Sequence, residues 1–288
     1  MADDRLVLLG TKGGPAIRKG GPNPTASLLV MEGQPIVVDA ALGVTRALVE
    51  AGMPLRELAT IFLTHLHSDH VLELGGLIHT AWTSGLARQV AIYGPVGTRA
   101  LWDGFRASLA FDIGIRVEDE GRPDLAQLVT VTEFGEGPVA TLGGITVSAL
   151  RVHHPPVTEC YALRFDCDGW SVTFSSDTAY FEPLGPFAAG TDILVHEAML
   201  LDGVDRIAKL VPNGARVKAH ILASHTEAYD AARIAAAAQA GHLVLHHLLP
   251  ADDPTLGEAD FLREVRRAYD GPVTIPQDGH EIKRKDAP

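Results

Sequence analysis

The segment that most narrows the fold is His65-Leu66-His67-Ser68-Asp69-His70, which follows the apolar run Ala59-Thr60-Ile61-Phe62-Leu63-Thr64. A short β-branched run of this kind reads as a buried strand. Three imidazoles and a carboxylate just beyond it predict a rigid strand end on which polar side chains converge, the usual place for a site in an α/β sheet. In extended backbone residues i and i+2 face the same way, so His65 and His67 are placed to clasp one cation. Asp69 and His70 follow as the chain turns and face a second. Neutral imidazole and carboxylate suit zinc or a similar first-row metal.

The remaining chain alternates in the same style. Strands are expected at 6–9, 27–31, 35–39, 90–93, 129–133, 145–152, 161–166, 171–175, 193–195 and 243–246, and helices near 45–51, 71–85, 96–110, 227–240 and 258–269. The Gly/Pro-rich segment 10–24 reads as a long loop beside a site, and the charged stretch 112–124 as an irregular surface excursion or lid. Strand–helix alternation in both halves predicts an α/β fold of two βα layers packed face to face. No linker divides the chain, so residues 1–288 are expected to form one domain.

Charge and cysteines add exclusions. The formal charge is −12, and Arg18-Lys19 and Lys283-Arg284-Lys285 are short basic groups near the termini. That balance argues against a nucleic-acid partner. Cys160 and Cys167 fit packing thiols in a reducing compartment. The acidic start Met1-Ala2-Asp3-Asp4-Arg5 lacks a signal-peptide pattern, and no apolar stretch reaches the ~18 residues of a membrane span. A cytoplasmic protein with no membrane partner is the expectation.

Three further candidates follow apolar runs: His153-His154, Asp177 and His246-His247. Taken in order, His65-x-His67-x-Asp69-His70, a later His, an isolated Asp and a final His resemble the metallo-β-lactamase superfamily over nearly the whole chain. His154-Pro155-Pro156-Val157 before Tyr161-Ala162-Leu163-Arg164-Phe165 resembles its branch of arylsulfatase-like enzymes and tRNA 3′-processing ribonucleases. So do Ser175-Ser176-Asp177-Thr178, His196-Glu197-Ala198, Ser224-His225-Thr226 and Leu243-Val244-Leu245-His246-His247.

The resemblance implies a four-layer αβ/βα sandwich and two divalent ions, zinc first, with manganese or iron as alternatives. One ion would take His65, His67 and His154, the other Asp69, His70 and His247, with Asp177 bridging. His154 is preferred to His153 because it keeps the family's seven-residue spacing to Tyr161, and His247 to His246 because it falls on the family's ligand position. Asp39 resembles the residue that fixes a ligand imidazole. His225 resembles one that donates to developing charge, and Glu197 would orient it. His196 and His220 are read as either supporting or structural. A serine at position 176, where relatives often have glycine, is a small departure.

Two ions sharing a carboxylate can also share a hydroxide, since coordination lowers the pKa of water from about 15.7 towards 7. Asp69 would orient it, and the ions with His225 would stabilise charge on the substrate. The implied activity is ester hydrolysis. Pro155-Pro156 stands where β-lactamases and thioester-cleaving relatives carry Gly-His-Thr, and His67 stands where flavin-partnered di-iron relatives carry Glu. The long Gly/Pro-rich arm of tRNA-processing enzymes is missing, since 161–176 is a bare hairpin. The expected substrate is therefore a small-molecule ester (aryl sulfate, phosphodiester, carboxylic ester or lactone) and no nucleic acid. A tRNA 3′-processing nuclease is the disfavoured alternative, and a non-catalytic, metal-binding regulatory protein is another. A homodimer is implied by the family alone.

Overall fold

The structure, a computed structural model, describes residues 4–284. Met1, Ala2 and Asp3 of the acidic start and Lys285 of the basic triplet lie outside the described residues. The chain runs through β1 (Arg5–Gly10), β2 (Ala26–Met31), β3 (Gln34–Val38), β4 (Thr60–Phe62), β5 (Val90–Gly94) and β6 (Val129–Glu133). It continues through β7 (Gly137–Leu142), β8 (Ile145–Arg151), β9 (Tyr161–Cys167), β10 (Trp170–Phe174), β11 (Ile193–Met199), β12 (His242–Leu249) and β13 (Val273–Thr274), and returns as β14 (His280–Lys283). Two seven-stranded sheets result, in the orders β14-β1-β2-β3-β4-β5-β6 and β13-β12-β11-β10-β9-β8-β7.

Period-two alternation explains the layers. Leu6 and Leu8 of β1, with Leu29 and Met31 of β2, face the other sheet. Val7, Leu9, Leu28 and Val30 point the opposite way, into helices Val44–Glu50 and Leu74–Thr83. On the second sheet Leu163, Phe165, Val172 and Val195 face inward. Ala162, Leu194, Leu243 and Leu245 instead meet the Ala-rich helix Ala228–Ala238 and the helix Glu258–Val265. Both faces of these strands are buried, so they read as near-continuous apolar runs. Phe62 links the sheets, stacking on Tyr93 at 4.7 Å and meeting Phe165 edge-on at 5.1 Å. The architecture is the αβ/βα sandwich.

One half of each sheet is parallel: β3 to β6 in one, β10 to β13 in the other. Carboxyl ends of β3, β4, β10, β11 and β12 therefore deliver side chains to one common edge, where the candidate site forms.

Some expectations change. Within 112–124 only residues 121–124 are irregular: helix Ala110–Glu120 packs Ile113 and Val117 against the first core. Those two positions lie four apart on one face, hidden in the sequence by charge and by Gly114. Arg116 ties the outer face together through Asp112 and Glu120, both at 2.9 Å. Lys283, the first of the basic triplet, closes edge strand β14, which pairs with β1. Helices Leu201–Lys209 and Gly214–Ser224 and strand β7 were not anticipated. Among the described residues no helix is long and apolar enough to cross a membrane.

Candidate metal centre

Three non-glycine residues at this edge have left-handed backbone: Asp39 (φ +63°), Ser176 (φ +58°) and His247 (φ +44°). Such strain concentrates where surrounding structure over-determines a side chain's direction. It accounts for position 176, since a residue at φ +58° is one where glycine costs least. His247 sits on a β-bulge. Glu197 pairs with His246 and Ala198 with Leu248, leaving His247 as the extra residue. A bulge re-aims a side chain locally, and this one turns His247 into the site while the His246 Nε2–H donates to the Gly10 carbonyl at 2.8 Å. At the other doublet His154 is buried and His153 exposed.

Two buried groups emerge. His65, His67, His154 and Asp177 bring their ligand atoms within 4.8 Å of one another, as do Asp69, His70, Asp177 and His247. Asp177 belongs to both. Its Oδ2 lies 3.8 Å from His65 Nε2, 3.9 Å from His154 Nε2, 3.3 Å from His70 Nε2 and 3.1 Å from His247 Nε2. Asp69 Oδ2 is 3.3 Å from His247 Nε2. Every sequence-predicted ligand position is thus in the cluster, and neither His153 nor His246 is.

The donor set fits cations. His65 Nε2, His70 Nε2 and Asp177 Oδ1 are buried with no hydrogen-bond partner, and a buried unsatisfied group costs about 1–3 kcal/mol. The opposite ring nitrogens are occupied by protein. His70 Nδ1–H donates to Asp39 at 2.8 Å and His154 Nδ1–H to the Ser224 carbonyl at 2.9 Å. Each bond fixes the tautomer that leaves Nε2 free for an ion. Asp39 also accepts the Thr64 backbone N–H at 2.9 Å, so it braces the strand end as well as the imidazole. Asp39→Asn is expected to weaken cation affinity about 10- to 100-fold with the fold retained. Competition against a chelating indicator would read that, and an unchanged affinity would refute the bracing role.

The two groups differ electrostatically. Burial holds His65 well below the ordinary histidine value, and lowers His67 and His154 too, keeping those imidazoles neutral. His70 and His247 move the other way. Burial alone would lower them, but Asp177 foremost raises His70 well above its usual range and His247 to about 10. Asp69 and Asp177 are depressed despite burial, Asp69 chiefly by the His247 hydrogen bond and Asp177 chiefly by the His247 charge. Protons therefore compete with a cation at His70 and His247. Cation affinity is expected to rise with pH towards the His247 value, and binding at pH 7 to release protons. Calorimetric titration in buffers of different ionisation enthalpy checks this; buffer-independent heats would contradict it.

Beside the cluster Glu197 accepts the Thr178 N–H at 2.6 Å and faces His225 Nδ1 at 3.0 Å. This holds the His225 ring with Nε2 outward. His196 lies outside the cluster, its Nδ1 on the Glu197 carbonyl at 2.7 Å, and burial lowers it to about 4. His220 lines the neighbouring cavity and reaches Ser224 Oγ at 3.2 Å. Cys160 is buried, its thiol against the Asp177 carbonyl at 3.3 Å, and burial pushes it well up, so it packs and does not react.

The loop 10–24 is a strap over the site. Gly14 N–H donates to Asp69 Oδ2 at 2.8 Å. A Cβ on Gly13 would stand 2.7 Å from the His247 ring, so only glycine lets the strap lie so close. Asp278 ties its two ends, accepting from the N–H groups of Thr11 (3.0 Å) and Asn23 (2.6 Å). Lys12, buried within it, spends Nζ protons on the carbonyls of Gly13 (3.2 Å) and Gly14 (2.7 Å). Lys12, Gly14 and Asp278 went unread in the sequence. A lone lysine inside a Gly/Pro run was the available signal. Strap, cluster and helices Leu201–Lys209 and Gly214–Ser224 enclose a cavity of about 480 Å³.

Comparison with known proteins agrees with this architecture. The profile of the family described as anti-Pycsar protein Apyc1 matches residues 5–243. Ribonuclease Z of Mycobacterium bovis (strain BCG / Pasteur 1173P2) is 32% identical over 283 residues, covering 96% of this chain and 97% of the relative. Ribonuclease Z of Mycobacterium avium (strain 104) is 32% identical over 288 residues, covering 98% and 99%. Among solved structures, the metallo-β-lactamase fold protein YhfI from Bacillus subtilis superposes with a TM-score of 0.71 at 24% identity, covering 98% of this chain and 99% of its own. Human tRNase Z, short form, gives 0.67 at 21%, covering 97% and 98%. Both show the shared fold.

These findings correct two expectations: that the substrate is a small-molecule ester, and that nucleic acid is excluded. Relatives named ribonuclease Z match end to end, so the missing arm has no discriminating value: a relative covered over 97% of its length has no room for one either. Net charge also misled, because a total of −12 says little about the local field over a metal cluster beside Lys12 and Arg18. A metal-dependent hydrolase is what the fold and relatives support. The chain belongs to the anti-Pycsar protein Apyc1 family, is a relative of ribonuclease Z, and has the metallo-β-lactamase fold.

Proposed function

We propose that this protein is a two-metal phosphodiesterase acting on RNA, a ribonuclease Z-like nuclease of tRNA 3′ ends. The observation that carries the reading is the shared carboxylate Asp177 between two complete ligand groups, in a chain 32% identical to a ribonuclease Z over 96% of its length. Neither group lacks a donor, which disfavours a purely regulatory metal binder. One ion would be held by His65, His67 and His154, the other by Asp69, His70 and His247, with Asp177 common to both. Zinc suits these donors best, with manganese or iron as alternatives. When bound, such a pair supplies Lewis-acid activation of water and neutralises charge on the phosphoryl oxygens.

The chain's own groups do the positioning. Asp69, with Oδ2 pinned by the Gly14 N–H, accepts a hydrogen bond from the attacking water and aims it at phosphorus. A carboxylate held well below its usual range is a weak base, so Asp69 orients the water more than it stores its proton. With both ring nitrogens protonated, His225 donates Nδ1–H to Glu197 and Nε2–H to the leaving oxygen, handing over that second proton as the P–O bond breaks.

The test is cleavage of a 3′-extended tRNA transcript by metal-loaded protein. Wild type is expected to cut, and His225→Ala to lower kcat about 10²- to 10³-fold with KM little changed. Loaded protein that leaves extended tRNA intact would overturn the assignment.

A further inference from the structure

The cavity over the metal centre has two chemically distinct sides. On the strap side stand Lys12, with one ammonium proton left after its two carbonyl bonds, and Arg18, paired with Asp252. Helices Leu201–Lys209 and Gly214–Ser224 bring Ile207, Val217 and Ile221 to the same cavity, and the turn between them brings Val211. Ile207, Val217 and Ile221 belong to a small satellite cluster with Met199, Val204 and Leu249, apart from the three main cores. Lys218 clamps the two helices together through Asp205 at 2.5 Å. Val211 is 39% exposed. An apolar wall that faces a cavity beside a phosphodiester-cleaving centre, without being needed to close the sandwich, calls for an occupant.

Resting on the RNA reading above, we propose that this wall is a nucleobase subsite. It takes the base of one nucleotide bordering the scissile phosphate, while the strap cations face the sugar–phosphate backbone. The cavity of about 480 Å³ falls within the ~300–1,000 Å³ of small-ligand sites. A base offers flat apolar faces to the wall, and its phosphates offer negative charge to Lys12 and Arg18. Continuity decides the occupant: one cavity spans Asp69, His225 and Val211, so a nucleotide with its phosphate at the metals reaches the wall within its own length. Contact is through area and not hydrogen bonds, so the subsite favours a base over none and discriminates weakly among bases.

The experiment compares an intact RNA substrate with two versions abasic on the 5′ or the 3′ side of the cut. Wild-type kcat/KM is expected to fall about tenfold on one abasic substrate. Ile207→Ser/Val211→Ser, which touches no proposed ligand, is expected to lose about tenfold on intact RNA while keeping the wild-type rate on that abasic substrate. Retained abasic activity shows that the variant is folded. Equal wild-type rates on all three substrates would overturn the subsite while leaving the RNA reading intact. So would a variant that falls alike on intact and abasic RNA. Wild-type protein that cuts none of the three would overturn the RNA reading, and the subsite with it.

Discussion

Asp177→Asn is expected to lower phosphodiester hydrolysis by about 10³-fold or more and to take bound metal below two ions per chain. The reason is positional. Asp177 Oδ2 is the carboxylate oxygen that approaches all four of His65, His70, His154 and His247, at 3.1 to 3.9 Å. An amide keeps the shape but removes one negative charge from both ligand groups at once. It also brings an N–H₂ donor into a cluster built to face cations. A second signature follows, since Asp177 is the foremost cause of the raised values at His70 and His247. Fewer protons should be released per ion bound by the variant. Metal analysis with steady-state kinetics reads the first two effects and calorimetry the third. A variant that keeps two ions and near-normal rates would remove Asp177 from the bridging role.

Stripping the metal is expected to abolish hydrolysis and destabilise the fold together. A ligand bound only by the native state adds about 4 kcal/mol when present at a thousandfold its dissociation constant, which for a chain of this size corresponds to roughly 10 °C in Tm. The fold edge here depends on it: buried His65, His70 and Asp177 have atoms that no protein group satisfies, and Asp177 and Asp69 stand close enough to repel. Chelation followed by thermal unfolding should show the drop, and re-addition of zinc should restore both stability and rate. An unchanged Tm after complete removal would mean that the cluster is held by protein contacts alone.

The sandwich was legible because its strands are buried on both faces, so β1 and β2 stand out as near-continuous apolar runs. The ligand positions were legible for a different reason. They sit immediately after such runs, where a polar residue has no packing role. Helix Ala110–Glu120 and the pair at 201–224 were missed because their apolar residues form narrow stripes diluted by charge: Ile113 and Val117 in one, Ile207, Val217 and Ile221 in the other. The bulge at His247 and the left-handed backbone at Asp39 and Ser176 arise from tertiary fit, which no local pattern encodes. Substrate was the poorest inference. It leaned on total charge and on a missing arm, whereas the field at the site depends on the ion pair, Lys12 and Arg18.

The most direct measurement titrates zinc into metal-depleted protein while following cleavage of a 3′-extended tRNA transcript, with Asp69→Ala alongside. Cutting is predicted to appear as occupancy approaches two ions per chain, at one position near the tRNA 3′ end, and Asp69→Ala to stay silent at the same occupancy. Intact tRNA at two ions per chain, or cutting that persists without Asp69, would contradict the account.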